Sequence, residues 1–142
     1  MASPSAEQAT VYECEDRTES EIGSRGFDSR KVDEWIETVC HAEDLDVPTV
    51  SVVRASRTLL ASAHAESNSI CIRGRRVTAG TLLHEIAHLS CGGDSHGVLF
   101  RDELVRLGRA HISLQWADHL HRGFVSAGLE MSPWPASARR PR

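Results

Sequence analysis

The chain has 142 residues, of which 40% are hydrophobic and 25% are charged, and its mean hydropathy is -0.30. These values are typical of one globular domain. They argue against a disordered chain, and no apolar run approaches the roughly 18 residues that a membrane span needs. The net charge of -4 divides into -9 for residues 1–46 and +5 for residues 47–142. The basic excess is scattered, so nucleic-acid binding is not supported.

The cysteines and the first ten residues bear on the cellular compartment. Four cysteines lie far apart without a CxxC pair, which argues against a zinc ribbon or a disulfide framework. Residues 1–10 have neither a basic nor an apolar segment of the kind found in secretory signals. We therefore expect a cytoplasmic protein with reduced thiols.

The composition of the two ends predicts flexible tails at residues 1–10 and 131–142, with one domain at 11–130 between them. Residues 11–14 are predicted to form a short first strand. A helix is expected from Asp28, as its cap, to about His41, because apolar residues recur there at helical spacing. These residues are Val32, Trp35, Ile36, Val39 and Cys40.

The middle of the chain predicts strands. Residues 50–52, 59–64 and 69–72 have strand-like patterns separated by turns near 57–58 and 66–68, which indicates a three-stranded antiparallel meander. Three helices should follow, at 79–91, 97–107 and 114–127, ended by glycines at 92, 108 and 128. Strands followed by helices predict an α+β fold with a small antiparallel-rich sheet and C-terminal helices.

The sequence His84-Glu85-Ile86-Ala87-His88 lies on the helix predicted at 79–91. Histidines four residues apart lie on one helix face, about 6 Å apart, so both can bind one zinc ion. Glu85 is about 100° around the helix from His84, outside the coordination sphere but close enough to take a proton from a metal-bound water. The motif therefore predicts two zinc ligands and a general base.

His96, eight residues after His88 and beyond Gly92-Gly93, is a candidate third ligand. A catalytic zinc site has three protein ligands and one position open to water. His84, His88 and His96 supply that number of ligands. The rivals for the third position are Asp94, Cys91 and Glu103.

The stretch LLHEIAHLSCGGDSHGVLF, at residues 82–100, resembles the zincin-like metallohydrolases of actinobacteria and their phages. It is more distantly similar to the SprT-like metalloproteases, which share the HExxH motif and a following HGxxF-like segment. The resemblance is specific over about residues 78–107. It implies a minimal zincin-like domain with an active-site helix, in which His84, His88 and His96 bind zinc and Glu85 is the catalytic acid and base.

The chain also departs from related patterns. The residues after His88 do not have the metzincin spacing, and the cysteine-rich zinc ribbon of some SprT relatives is missing, which puts their DNA-linked role in doubt here. Arg101 or a histidine of the C-terminal helix is a guess for the oxyanion donor. The arginines at 73, 75 and 76 could bind an acidic substrate or nucleic acid, although a solvated turn is the simpler interpretation.

These features predict a zinc metallohydrolase, and most readily a metallopeptidase whose peptide or protein substrate adds to an edge strand beside the active helix. One alternative is a regulatory peptidase of phages or mobile elements, with Glu103 as the third ligand. Another is a non-catalytic module that zinc stabilises, in which Glu85 would be idle. No membrane partner is expected, and substrate preference and oligomeric state are left open.

Overall fold

The computed structural model describes residues 4–53, 61–92 and 96–134. The chain forms two compact units, residues 25–92 and residues 1–24 with 93–142, whereas one domain was expected at 11–130. None of the helices in the described ranges is both long enough and apolar enough to cross a membrane. The predicted α+β class is confirmed, since helices and two small sheets make up the described chain.

The unit of residues 25–92 contains all five described strands. These are β1 (Gly26–Asp28), β2 (Thr49–Val53), β3 (Ala61–His64), β4 (Ser69–Arg73) and β5 (Arg76–Thr78). Strands β1 and β5 form an antiparallel pair, and the other three form a sheet in the order β2-β4-β3. In that sheet β3 is antiparallel to β4, whereas β2 is parallel to it. Antiparallel pairs thus predominate, as expected.

The predicted meander is wrong, because β4 rather than β3 is the central strand. The strand periodicity correctly located the three segments, but alternation identifies only which residues share a face of the sheet. It does not identify a strand's partner or direction. The expected turn at 57–58 lies outside the described residues.

Two helices complete this unit, α2 (Asp33–Ala42) and α3 (Ala79–Cys91). Asp28 caps a separate 3-10 turn over residues 29–31 rather than α2, by accepting a hydrogen bond from the Arg30 backbone N–H at 2.9 Å. The predicted bounds of α3 are confirmed. This helix packs against β3 and β5 through an apolar face that is completely buried. The members of that face are Leu82, Leu83, Ile86 and Ala87.

The other unit consists of three helices, α1 (Pro4–Glu21), α4 (Val98–His111) and α5 (Leu114–Ser126). Helix α5 packs against both α1 and α4. Its residues Trp116, Leu120 and Phe124 are fully or almost fully buried.

The predicted N-terminal tail and the strand at 11–14 are wrong, because α1 begins at Pro4 and runs through both. The helix has few apolar residues, so its sequence carries little periodicity. Buried Val11 and Cys14 anchor it, together with polar contacts to α5. Buried Thr18 Oγ1 lies 2.7 Å from His119 Nδ1, and Trp116 Nε1–H donates to Glu19 Oε1 at 3.3 Å.

The end of α4 also differs from the prediction. The helix continues through Gly108 to His111. A Cβ at position 108 would overlap the Trp116 ring. This glycine therefore allows α5 to approach closely and does not end the helix.

The predicted C-terminal tail is also in contact with this unit at its start. Ser132 donates hydrogen bonds to the Asp102 carboxylate from its backbone N–H and its hydroxyl. The Trp134 ring lies 5.3 Å from the His121 ring and 5.0 Å from the Arg109 guanidinium carbon. Residues 135–142 lie outside the described ranges.

Candidate metal centre

Helix α3 positions three of the four predicted site residues. Its first turn is capped by Thr78, whose Oγ1 accepts a hydrogen bond from the Thr81 N–H at 3.2 Å, and its end is marked by Gly92 at a φ of 70°. A side-chain cap is typical of a helix start, and a glycine at positive φ is typical of a helix end, as the sequence predicted for Gly92. The helix is therefore fixed at both ends as well as along its buried face.

His84 and His88 lie one turn apart on α3 and turn their rings toward each other. Their Nε2 atoms are 3.2 Å apart, with ring centroids at 4.9 Å and ring planes inclined by 67°. Two nitrogens that bind one tetrahedral zinc at about 2.0–2.1 Å are separated by about 3.3 Å. The 3.2 Å separation is that of a hydrogen bond between the two rings, and it also fits two ligands of a single zinc ion.

Glu85 is 5% exposed, a low value for a carboxylate. It directly follows His84 on α3, so the helix directs the two side chains about 100° apart. Burial limits the rotamers that its side chain can adopt. The side chain of Glu85 thus has few accessible rotamers, and the residue directly follows the candidate ligand His84.

His96 stands two residues before α4 and is held by its surroundings in the helical unit. Its ring centroid lies 5.0 Å from that of Phe100 and 5.5 Å from that of Tyr12, and the residue is 6% exposed. Its φ is 67°, in the left-handed region that non-glycine residues rarely occupy. Such a conformation persists only where the surrounding contacts impose it.

Arg101 supplies one of those contacts. Its Nη1 donates to the His96 carbonyl at 2.7 Å and to Glu7 Oε1 at 2.6 Å, while its Nε and Nη2 donate to the Glu130 carbonyl at 3.3 and 2.9 Å. Each guanidinium nitrogen therefore has an acceptor, and Arg101 is 3% exposed. Arg101, a guess for the oxyanion donor, thus uses its donors on these acceptors and fixes the backbone of a candidate ligand.

The three candidate ligands are divided between the two units. His84 and His88 belong to the unit of residues 25–92, and His96 belongs to the other unit. Of the rivals for the third position, Glu103 is paired with Arg106 at 2.7 Å. Asp94 lies outside the described residues.

Two residues near His96 were missed by the sequence analysis. Glu7 is 94 residues from Arg101 in the chain, and Tyr12 lies in the segment interpreted as a strand. Neither occurs in a recognisable motif, so only the fold reveals their contacts.

Comparison of the chain with protein-family models, curated proteins and solved structures found no match.

Proposed function

We propose that the protein is a zinc-dependent hydrolase, and specifically a metallopeptidase. The observation that carries this proposal is the 3.2 Å separation of the His84 and His88 Nε2 atoms, which fits an edge of a tetrahedral zinc site. A neutral imidazole is a common zinc ligand, and three of them match the donor number of an open catalytic site. The chemistry of the donor set thus fits the ion.

His84, His88 and His96 would hold the zinc, with His96 oriented by Arg101 and its aromatic neighbours. When bound, zinc at such a site lowers the pKa of water toward about 7 and polarises a carbonyl group. A Glu103 ligand, as in the regulatory-peptidase alternative, receives less support because its carboxylate is paired with Arg106.

Glu85 would be the general base and then the general acid. Its carboxylate accepts a proton from the attacking water and delivers it to the leaving amine of the cleaved peptide bond. Low exposure favours this role, since a restricted carboxylate needs little reorganisation during proton transfer. A non-catalytic zinc module would give Glu85 no function.

The edge of the sheet at β3 is suited to binding an extended peptide as the substrate. Strand β3 is at an edge of the sheet and packs against α3, the helix that carries the HExxH motif. A peptide that pairs with the edge of β3 would gain backbone hydrogen bonds and run alongside this helix. The proposal includes a cytoplasmic location, which the widely spaced cysteines of the sequence favour.

The test compares the parent with Glu85→Gln and His84→Ala on a library of fluorogenic peptides. The parent should cleave members of the library and lose that activity to a zinc chelator. Glu85→Gln should retain zinc but cleave about 10²- to 10⁴-fold more slowly, as expected for loss of a general base. His84→Ala should lose both zinc and cleavage. Equal turnover by the parent and Glu85→Gln would contradict the proposal, as would zinc-loaded parent that cleaves no peptide.

A further inference from the structure

After α5 the chain turns back toward α4. Gly128 has a φ of 82°, and the N–H groups of Gly128 and Leu129 donate to the carbonyls of Val125 and Phe124, respectively, each at 3.0 Å. This pair of hydrogen bonds is a Schellman motif, which ends a helix with a glycine in the left-handed region and redirects the chain. We call residues 130–134, which follow this turn, the C-terminal strap.

Side chains of α4 and α5 hold the C-terminal strap at two places. At Ser132, the backbone N–H and the hydroxyl donate to the two carboxylate oxygens of Asp102 at 3.0 and 2.6 Å, and His121 Nε2 lies 3.1 Å from the Ser132 carbonyl oxygen. At Trp134, the ring lies against the His121 ring and the Arg109 guanidinium. Ser132 and Trp134 are therefore separate attachment points of the strap.

The start of the strap supplies an acceptor for the buried guanidinium of Arg101. The Glu130 carbonyl accepts hydrogen bonds from Arg101 Nε at 3.3 Å and from Nη2 at 2.9 Å, and Nη1 of the same group donates to the His96 carbonyl at 2.7 Å. A guanidinium is planar and rigid, so two nitrogens held by one carbonyl determine the direction of the third. Because Arg101 is 3% exposed, water cannot readily replace the Glu130 carbonyl. The strap therefore directs Arg101 toward His96.

His96 needs this support because of its backbone conformation. Its φ of 67° lies in the left-handed region, which a non-glycine residue occupies only where its surroundings impose it. Phe100 and Tyr12 contact the His96 ring, whereas Arg101 binds the carbonyl and so acts on the backbone itself. The left-handed conformation of His96 therefore depends on the position of Arg101.

We propose that the C-terminal strap positions the candidate ligand His96 through Arg101. Asp102 and Trp134, which attach the strap, are then positioning residues. The inference rests on the proposed function, since it takes His96 as a zinc ligand. When the strap is released, only a fraction of the molecules keep His96 in the left-handed conformation, and the apparent zinc affinity falls by the same fraction.

The first experiment measures the His96 conformation by NMR in the full chain without zinc. A left-handed residue gives a strong nuclear Overhauser effect between its amide proton and its own α-proton, because these two protons lie close together. The parent should show this signal at His96, and Asp102→Ala and Trp134→Ala should each weaken it. Asp118→Ala is the matched control, since it removes a carboxylate that is paired with exposed Arg122 on α5. It should leave the signal unchanged. A signal of parental strength in either strap variant would overturn the proposal.

Competitive chelator titration measures the consequence for zinc. Asp102→Ala and Trp134→Ala should each lower the affinity about tenfold, the lower end of the range for loss of a group that supports a ligand. Asp118→Ala should change it by about twofold at most, as is usual for a surface substitution. Parental zinc affinity in variants whose His96 signal is weakened would overturn the proposal. A parent that binds no zinc would instead contradict the proposed function, and the NMR comparison would still decide whether the strap positions His96.

A double-mutant cycle separates action through Arg101 from general weakening of the helical unit. Residues that act through a shared partner have non-additive effects. Arg101→Met already lacks the group through which the strap acts, so addition of Asp102→Ala should lower its zinc affinity by about twofold at most. Additive losses in the double variant would show that the strap acts by another route and would overturn the proposal.

Discussion

The helix α3 and the segment from His96 to Arg101 hold candidate ligands by different means. In α3, the four-residue spacing of a regular helix sets the His84–His88 pair, and the packed face of the same helix fixes it. His96 lies outside any helix, in a left-handed conformation that a buried arginine stabilises. That arginine is in turn bound by Glu7 and by the carbonyl of Glu130. Two candidate ligands are thus positioned by local sequence and the third by distant contacts.

The largest expected effect on zinc binding comes from substitution of His84 or His88. His84→Ala or His88→Ala should abolish stable zinc binding, because each removes one of the proposed ligands. The parent should contain about one zinc per chain by elemental analysis. His41→Ala is a suitable control, since His41 is exposed at the end of α2. Zinc retained by both variants would exclude the HExxH pair as a metal site.

A second substitution tests the third ligand. His96→Ala should also abolish stable zinc binding, whereas Asp94→Ala, Cys91→Ala and Glu103→Ala should leave it measurable. Loss of a group that only supports a ligand typically weakens metal affinity about 10- to 100-fold. Competitive chelator titration of all four variants distinguishes these outcomes. If His96→Ala binds zinc like the parent and Glu103→Ala does not, the regulatory-peptidase alternative becomes the better interpretation.

Arg101 tests whether distant contacts position the third ligand. Arg101→Met retains much of the side-chain volume but removes the hydrogen bond to the His96 carbonyl. We expect zinc affinity to fall about 10- to 100-fold, the range for loss of a group that orients a ligand. Arg122→Met, at an exposed position on α5, is the control. Chelator titration that finds equal zinc affinity in the parent and Arg101→Met would exclude a positioning role.

A smaller effect is expected at high pH from two buried thiols, one in each unit. Burial raises the pKa of both Cys14 and Cys40 above the ordinary value of 9.0. Above about pH 9 the unfolded chain therefore loses these protons more readily than the folded chain, so the free energy of unfolding falls as the pH rises. A chain with Cys14→Ala and Cys40→Ala should lose less stability between pH 8 and 10 than the parent in urea titrations. A steeper loss in the double variant would contradict this assignment.

Sequence reasoning was most accurate where short-range chemistry determines the structure. The bounds of α3 follow from the Thr78 cap, the apolar face and Gly92, all within one segment. The histidine spacing on that helix is a local property too. The HExxH pair could therefore be recognised as two candidate ligands on one helix face before the fold was known.

Prediction failed where a residue's role depends on a distant partner. Gly108 was interpreted as a helix end because its close contact with Trp116 cannot be inferred from spacing. Helix α1 was missed because it has few apolar residues and because some of the contacts that hold it join side chains about 100 residues apart, as for Thr18 and His119. The contact between Arg101 and Glu7 belongs to the same class.

The parallel pairing of β2 with β4 has a consequence for the order of folding. Strands β3 and β4 are joined by a short turn, with partners as close as His64 and Ser69, so this ladder can form as a local hairpin. Every pair between β2 and β4 joins residues 20 positions apart, and each of these contacts requires closure of a longer loop. We therefore expect β2 to join the sheet last during refolding. Its ladder amides should also exchange with solvent deuterium earlier than those of β3, because the strand that docks late is the one whose opening costs least.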